Sequence, residues 1–164
     1  MFIGYLQDKV VSMAFLLSLK NTQFVLLAYI AIDKKFQGRG IGSSFMKNLL
    51  DVIRNDSMGQ YLLMEVENPR YGDNREEKER RVQFYKRLGT KEMKGLKYVF
   101  PPLPGEKTIE MILMVMPDYN NGKMEGDLVK QLITQIYVDV YGRSKNDNLL
   151  KSLIDKIPLS IDLI

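Results

Sequence analysis

The 164-residue chain contains no cysteine and no histidine. The first absence removes disulfides, thiolate nucleophiles and sulfur-ligated metal sites. The second removes the commonest protein metal ligand and the commonest general base. Catalysis by this chain has to use carboxylates, tyrosine, serine, lysine or backbone groups, and no metal is expected. Long apolar runs are lacking as well: those present are too short, or too interrupted by charge, to span a bilayer, so no membrane partner is expected. The opening MFIGYLQDKVV has no basic segment ahead of an apolar one, so no secretory leader is expected and a cytoplasmic protein is. Low-complexity tracts are missing too.

What is there is ordinary for a globular chain, with 45% hydrophobic and 27% charged residues over a length that suits one domain. The net charge of +4 is unevenly placed, with ten Lys/Arg against five Asp/Glu between Arg70 and Lys97. Such a cluster can meet nucleic acid, a small polyanion or only water. Glu76, Glu77 and Glu79 are interleaved with it and would repel a phosphate backbone, so a nucleic-acid partner is not expected.

Residues 2–6, 10–19 and 24–32 read as strands, the third nearly continuous in apolar residues as though covered on both faces. From Ile41 the period changes: Ile41, Phe45, Leu49, Leu50 and Ile53 fall at helical spacing, and Asn55 to Gly59 close the helix. Tyr61 to Glu65 is a fourth strand, running on toward Glu67. Residues 75–88 predict a helix with i,i+4 ion pairs, stopped at Gly89. Two strands follow near 92–99 and 108–116, with the Pro101–Gly105 loop between them. After Pro117 the pattern becomes helical, over 126–141 and again over 149–157. The order predicts a mixed α/β (α+β) domain.

The stretch FQGRGIG places three glycines at the junction between the third strand and the first helix. The first amides of a helix lack partners in the chain and face the positive end of its dipole, and glycine lets a phosphate reach them. A phosphate or pyrophosphate cradle is the physical expectation. A Walker A loop would need a lysine before Ser43-Ser44, and a dinucleotide fingerprint would need GxGxxG where GxGxG stands. Neither fits.

A third pattern does. The stretch YIAIDKKFQGRGIGSSFMKNLL resembles motif A of the GNAT acyl-CoA N-acyltransferases, Gln/Arg-x-x-Gly-x-Gly/Ala, with Gln37, Gly38, Arg39, Gly40, Ile41 and Gly42 matching in turn. KERRVQFYKRLG resembles that family's motif B through Phe84, Tyr85 and Gly89. The resemblance spans residues 2–116 and implies a GNAT-like, mixed, mostly antiparallel sheet flanked by helices. It implies acetyl-CoA as acetyl donor, its pyrophosphate on the amides of residues 38–43, including Ser43. The pantetheine arm would pair with the backbone of Ile30, Ala31 and Ile32. Arg39, Lys78, Lys86 and Arg87 become candidates for the cofactor's phosphates. The activity implied is N-acetyl transfer by direct attack of a primary amine, on a small molecule or a protein.

In that family the motif-B tyrosine commonly protonates the leaving thiolate, which makes Tyr85 the candidate general acid. Where some relatives carry a glutamate base on the third strand, this chain has Leu26. Glu65 and Glu67, alternating with apolar residues on the next strand, are the candidates left, and Glu65 is the candidate base. The chain departs from motif B at Lys78, Arg81 and Thr90, where the family favours asparagine, alanine and an aromatic. It also begins at what resembles the family's second strand. The expectation is a core over 1–117, without the usual opening strand and helices, and a helical C-terminal extension over 118–164, packed on the same domain or in a homodimer. The alternative function is a non-catalytic acyl-CoA sensor or protein-interaction module on the same fold.

Overall fold

The apolar stretches ahead of Asp33 fold as three strands, β1 (Phe2–Leu6), β2 (Lys9–Ser18) and β3 (Phe24–Ile32). They belong to a computed structural model in which residues 1–102 and 107–164 are described; Leu103, Pro104 and Gly105 of the expected loop lie outside these residues. The chain divides into two compact units, residues 1–64 and 65–164.

In the first unit β2 pairs antiparallel with β1 and with β3. The β1–β2 turn is set by Gln7 and Asp8, both left-handed at φ 46° and 62°, which is the backbone twist a tight hairpin needs. Helix α1 (Ile41–Asn55) then crosses to β4 (Tyr61–Glu67), whose first half pairs parallel with β3. Such a crossover is what two parallel strands require. The helical spacing seen in the sequence is the buried face of α1: Phe45, Met46, Leu49, Leu50 and Ile53 are all at most 9% exposed. Truncating one of them to alanine would cost about 2–5 kcal/mol.

The second unit begins within β4 and continues through α2 (Arg75–Arg87), β5 (Lys91–Glu92), β6 (Tyr98–Phe100) and β7 (Ile109–Met116). β7 pairs antiparallel with both β5 and β6. The single strand expected over 92–99 is thus two short ones, broken by a turn in which Gly95 takes φ +71°. Of the pairs described, β3–β4 is parallel and the rest are antiparallel, giving the mixed, mostly antiparallel sheet with flanking helices that was expected.

Residues 118–164 share this second unit. They form β8 (Lys123–Glu125), α3 (Gly126–Gln135), α4 (Asn148–Ile154) and β9 (Ser160–Asp162). The β8–β9 ribbon was not foreseen, each strand being three residues long. It forces a close approach: a Cβ on Gly126 would stand 1.9 Å from the Pro158 carbonyl oxygen. The helix expected over 126–141 is regular only to Gln135, and Ile136–Val140 widen into a π-helical turn. α4 is shorter than expected, seven residues capped by the Asp147 side chain.

Candidate functional site

The glycine junction lies in the first unit. β3 ends at Ile32, and Asp33 caps a short 3₁₀ turn, Lys34–Phe36, by accepting from the Lys35 amide at 2.9 Å. Gln37 Nε2 then donates back to the Ile32 carbonyl at 3.1 Å. Gly38 and Gly40 take φ +76° and +78°, and no atom stands within 4 Å of where a Cβ would be. Gly40 is the N-cap of α1, with no side chain to close the helix end and no acidic residue in the first turn. The first amide to find a helical partner is that of Ser44, on the Gly40 carbonyl at 3.0 Å. The amides of Ile41, Gly42 and Ser43 precede it and have no such partner. Residues 37–40 are exposed and 41–43 half-buried, so solvent reaches this helix end. The Arg39 guanidinium lies 5.7 Å from the Phe36 ring centroid, which keeps its charge beside the turn. These groups make a positive, sterically open cradle for an anion.

Among the described residues, part of one edge of the strand leading into the cradle is unpaired. Pairing of β3 with β4 runs from Phe24↔Tyr61 to Leu27↔Met64 and stops there, while pairing with β2 continues to Ile32↔Ser12. The Asp33 amide donates to the Val11 carbonyl at 2.9 Å. Alternation along an antiparallel pair then turns the backbone groups of Ala31 toward β2, and those of Ile30 and Ile32 toward the free edge. Of the three residues expected to meet an extended ligand, Ile30 and Ile32 therefore present their backbone, and Ala31 does not.

In the second unit four members of the basic cluster, Arg75, Lys78, Arg81 and Lys86, form ion pairs with neighbouring carboxylates. Lys78, the expected phosphate partner, has its ammonium 3.4 Å from a Glu67 carboxylate oxygen and donates to the Tyr71 carbonyl at 2.9 Å. Lys86 pairs with Glu92 at 3.0 Å and Arg75 with Glu79 at 2.8 Å. A cleft of about 400 Å³ beside α2 is lined by these pairs together with Arg70. Arg87 is exposed.

Glu65 and Glu67, which share a face of β4, meet different partners. Glu67 faces Lys78 and Arg81. Glu65 is held by two phenols: Tyr98 donates to Oε1 and Tyr141 to Oε2, each at 2.5 Å. Tyr98 comes from β6 and Tyr141 from the end of the widened turn after α3. A third phenol, Tyr137, donates to the Val99 carbonyl, and its ring meets those of Tyr98 and Tyr141 at 6.1 and 6.5 Å. Burial raises the Glu65 carboxyl above its usual value, and the two phenol hydrogen bonds oppose that rise without cancelling it. Burial and the Glu65 charge likewise hold the Tyr98 and Tyr141 hydroxyls well above 10.0.

Tyr85 lies on the buried side of α2, 6% exposed, its ring 5.2 Å from that of Phe84. Burial raises its hydroxyl above 10.0, against a smaller opposing effect of Arg81. It therefore carries its proton throughout the neutral range. Tyr85 and Glu65 were candidates in the sequence, whereas the contacts of Tyr98 and Tyr141 with Glu65 were not legible there. Tyr141 lies 76 residues from Glu65 along the chain, and nothing local signals that contact.

The family model described as acetyltransferase (GNAT) domain matches residues 1–91. No curated protein sequence matches the chain. Among solved structures, a GNAT-family protein from Bacteroides thetaiotaomicron is 21% identical with a TM-score of 0.68, over 87% of this chain and 72% of its own. A GNAT-family acetyltransferase from Elizabethkingia anophelis, with acetyl-CoA bound, is 16% identical with a TM-score of 0.52, over 70% of this chain and 73% of its own. One from Streptococcus pneumoniae is 17% identical with a TM-score of 0.51, over 69% of this chain and 62% of its own. At these identities the likeness is one of fold.

Proposed function

This chain belongs to the GNAT acetyltransferase family, and we propose that it transfers the acetyl group of acetyl-CoA directly to a primary amine, on a small molecule or a protein, within a ternary complex. The observation that carries the proposal lies in residues 1–64. The pairing of β3 with β4 ends at Leu27↔Met64, and the rest of that β3 edge, unpaired among the described residues, runs into two left-handed glycines at an uncapped helix start. An extended amide-bearing arm adds to such an edge as a further strand would, and a pyrophosphate suits such a helix end. The edge groups of Ile30 and Ile32 would hold the arm. The amides of residues 38–43 and the Arg39 guanidinium would hold the phosphates. Lys78 leaves this set, because Glu67 and the Tyr71 carbonyl already hold its ammonium.

Acetyl-CoA supplies the activated acetyl thioester. The chain has no cysteine to form a thioester acyl-enzyme, which supports direct attack by the amine. Tyr85 Oη holds the proton for the departing sulfur, and burial keeps it there at neutral pH. Glu65 is the carboxylate that takes up the proton lost by the ammonium, and the tyrosine rings around it suit a cationic acceptor. A chain without disulfides needs no oxidising compartment, and a cytoplasmic location fits it.

The test is a panel of amines, from polyamines and amino acids to peptide N-termini, incubated with acetyl-CoA while released thiol is measured. The cysteine-free protein adds no thiol background. Amine-dependent release that Tyr85→Phe suppresses supports transfer. Firm acetyl-CoA binding with no release for any amine contradicts it, and favours a binding module.

A further inference from the structure

Each oxygen of Glu65 already accepts from a phenol, Tyr98 on Oε1 and Tyr141 on Oε2, so an amine approaching this carboxylate meets a tyrosine hydroxyl beside it. The two phenols differ in access. Tyr98 is 1% exposed, whereas Tyr141 is half-buried, on the last residue after a widened turn whose geometry the Tyr141 amide fixes by donating to the Ile136 carbonyl at 3.1 Å. The Phe100 ring packs 4.6 Å from the Tyr141 ring, tilted 60° to it. The remaining groups are engaged elsewhere: Tyr137 donates to the Val99 carbonyl, and Arg143 pairs with Asp147 at 3.0 Å. Among the described residues no cation pairs with Glu65.

We infer that Tyr141 is a catalytic proton relay, standing between the acceptor ammonium and the Glu65 carboxylate. The inference rests on the acetyl-transfer proposal and assigns to it a residue of the C-terminal segment. The relay balances simply. One N–H proton of the ammonium passes to Tyr141 Oη while the proton of Tyr141 passes along its existing hydrogen bond to Glu65 Oε2. The nitrogen recovers its lone pair as a neutral amine, the phenol is unchanged, and the carboxyl ends neutral. A phenol with so high an affinity for its own proton does not ionise in the process; it hands one proton on as it accepts another. A carboxylate made more basic by burial is the better terminus for such a chain.

The test uses full-length protein carrying ¹³C-labelled glutamate carboxyls, with the Glu65 resonance assigned through Glu65→Gln. Two quantities are read in wild type and in Tyr141→Phe: the titration midpoint of Glu65 without acetyl-CoA, and kcat against pH with saturating acetyl-CoA and amine. Removing the hydroxyl deletes a hydrogen bond that lowers the Glu65 pKa, so the midpoint moves up. Loss of the relay lowers kcat by about 10²-fold while acetyl-CoA still binds. An unmoved midpoint overturns the contact and the inference together. A raised midpoint with unchanged kcat and pH profile makes Tyr141 a structural partner only, and also overturns it. Wild type that binds acetyl-CoA and acetylates no amine overturns the transfer proposal and, with it, the relay. Tyr98→Phe guards against a nonspecific effect of losing any phenol, since it leaves the relay in place and should cost less in kcat than Tyr141→Phe.

Discussion

The Gln37 side-chain amide donates to the main-chain carbonyl of Ile32 at 3.1 Å, tying the loop that carries the glycines to the open edge of β3. The bond uses one of the four edge groups that Ile30 and Ile32 present, and it sets the angle at which the chain leaves the strand. An exposed hydrogen bond of this kind is worth about 1 kcal/mol. Gln37→Ala should therefore weaken acetyl-CoA binding by about fivefold without changing the fold. Calorimetry and a circular dichroism spectrum of the variant check both halves of that expectation.

Asp147 caps α4 by accepting from the amides of Leu149 and Leu150 at 2.8 and 3.1 Å, and it pairs with Arg143. Burial works against its charge, but the amides and the guanidinium outweigh it, so the folded-state pKa lies below the ordinary 3.8. A carboxylate lowered in this way stabilises the fold fully above its unfolded value, and the contribution is lost as pH falls through the folded one. Asp147→Ala should cost about 1 kcal/mol near neutrality. In urea titrations the gap between variant and wild type should close as the pH drops below 3.8.

Thr90 is 3% exposed, and its hydroxyl has no hydrogen-bond partner among the described residues. Valine has nearly the same shape and no polar atom to bury. Thr90→Val should stabilise the protein by about 1 kcal/mol, read as a higher urea midpoint at unchanged slope. A loss of stability would mean that the hydroxyl is satisfied in solution.

In the proposed reaction Tyr85 gives its proton to the leaving thiolate. Tyr85→Phe keeps the ring and its packing against Phe84 while removing that proton. The expected loss in kcat is about 10²-fold or more, with acetyl-CoA binding retained. Because burial holds the wild-type hydroxyl above 10.0, no decline in rate from Tyr85 ionisation should appear between pH 6 and 9.

The features legible in the sequence were local ones. The period change at Ile41 and the glycines ahead of it marked the strand-to-helix junction, because a helix start is encoded by consecutive residues. The face holding Phe45, Leu49, Leu50 and Ile53 was readable for the same reason. Contacts between distant residues were not. Nothing near Glu65 indicates that two phenols cover it, and nothing near Lys78 indicates that Glu67 takes its charge. The break between β5 and β6 at Gly95 is hidden in the sequence because the residues on either side still read as a strand. The β8–β9 ribbon is too short to show a period, and its pairing joins residues almost forty positions apart.

The most direct measurement is a calorimetric titration of the protein with acetyl-CoA, in parallel with a Gly40→Glu variant. The cradle is left-handed at Gly40 and open above it, so a glutamate there introduces backbone strain and a negative charge where the phosphates would rest. The account predicts saturable, one-to-one binding by wild type and none by a folded variant. Absence of binding by folded wild type, or equal binding by both proteins, would contradict it.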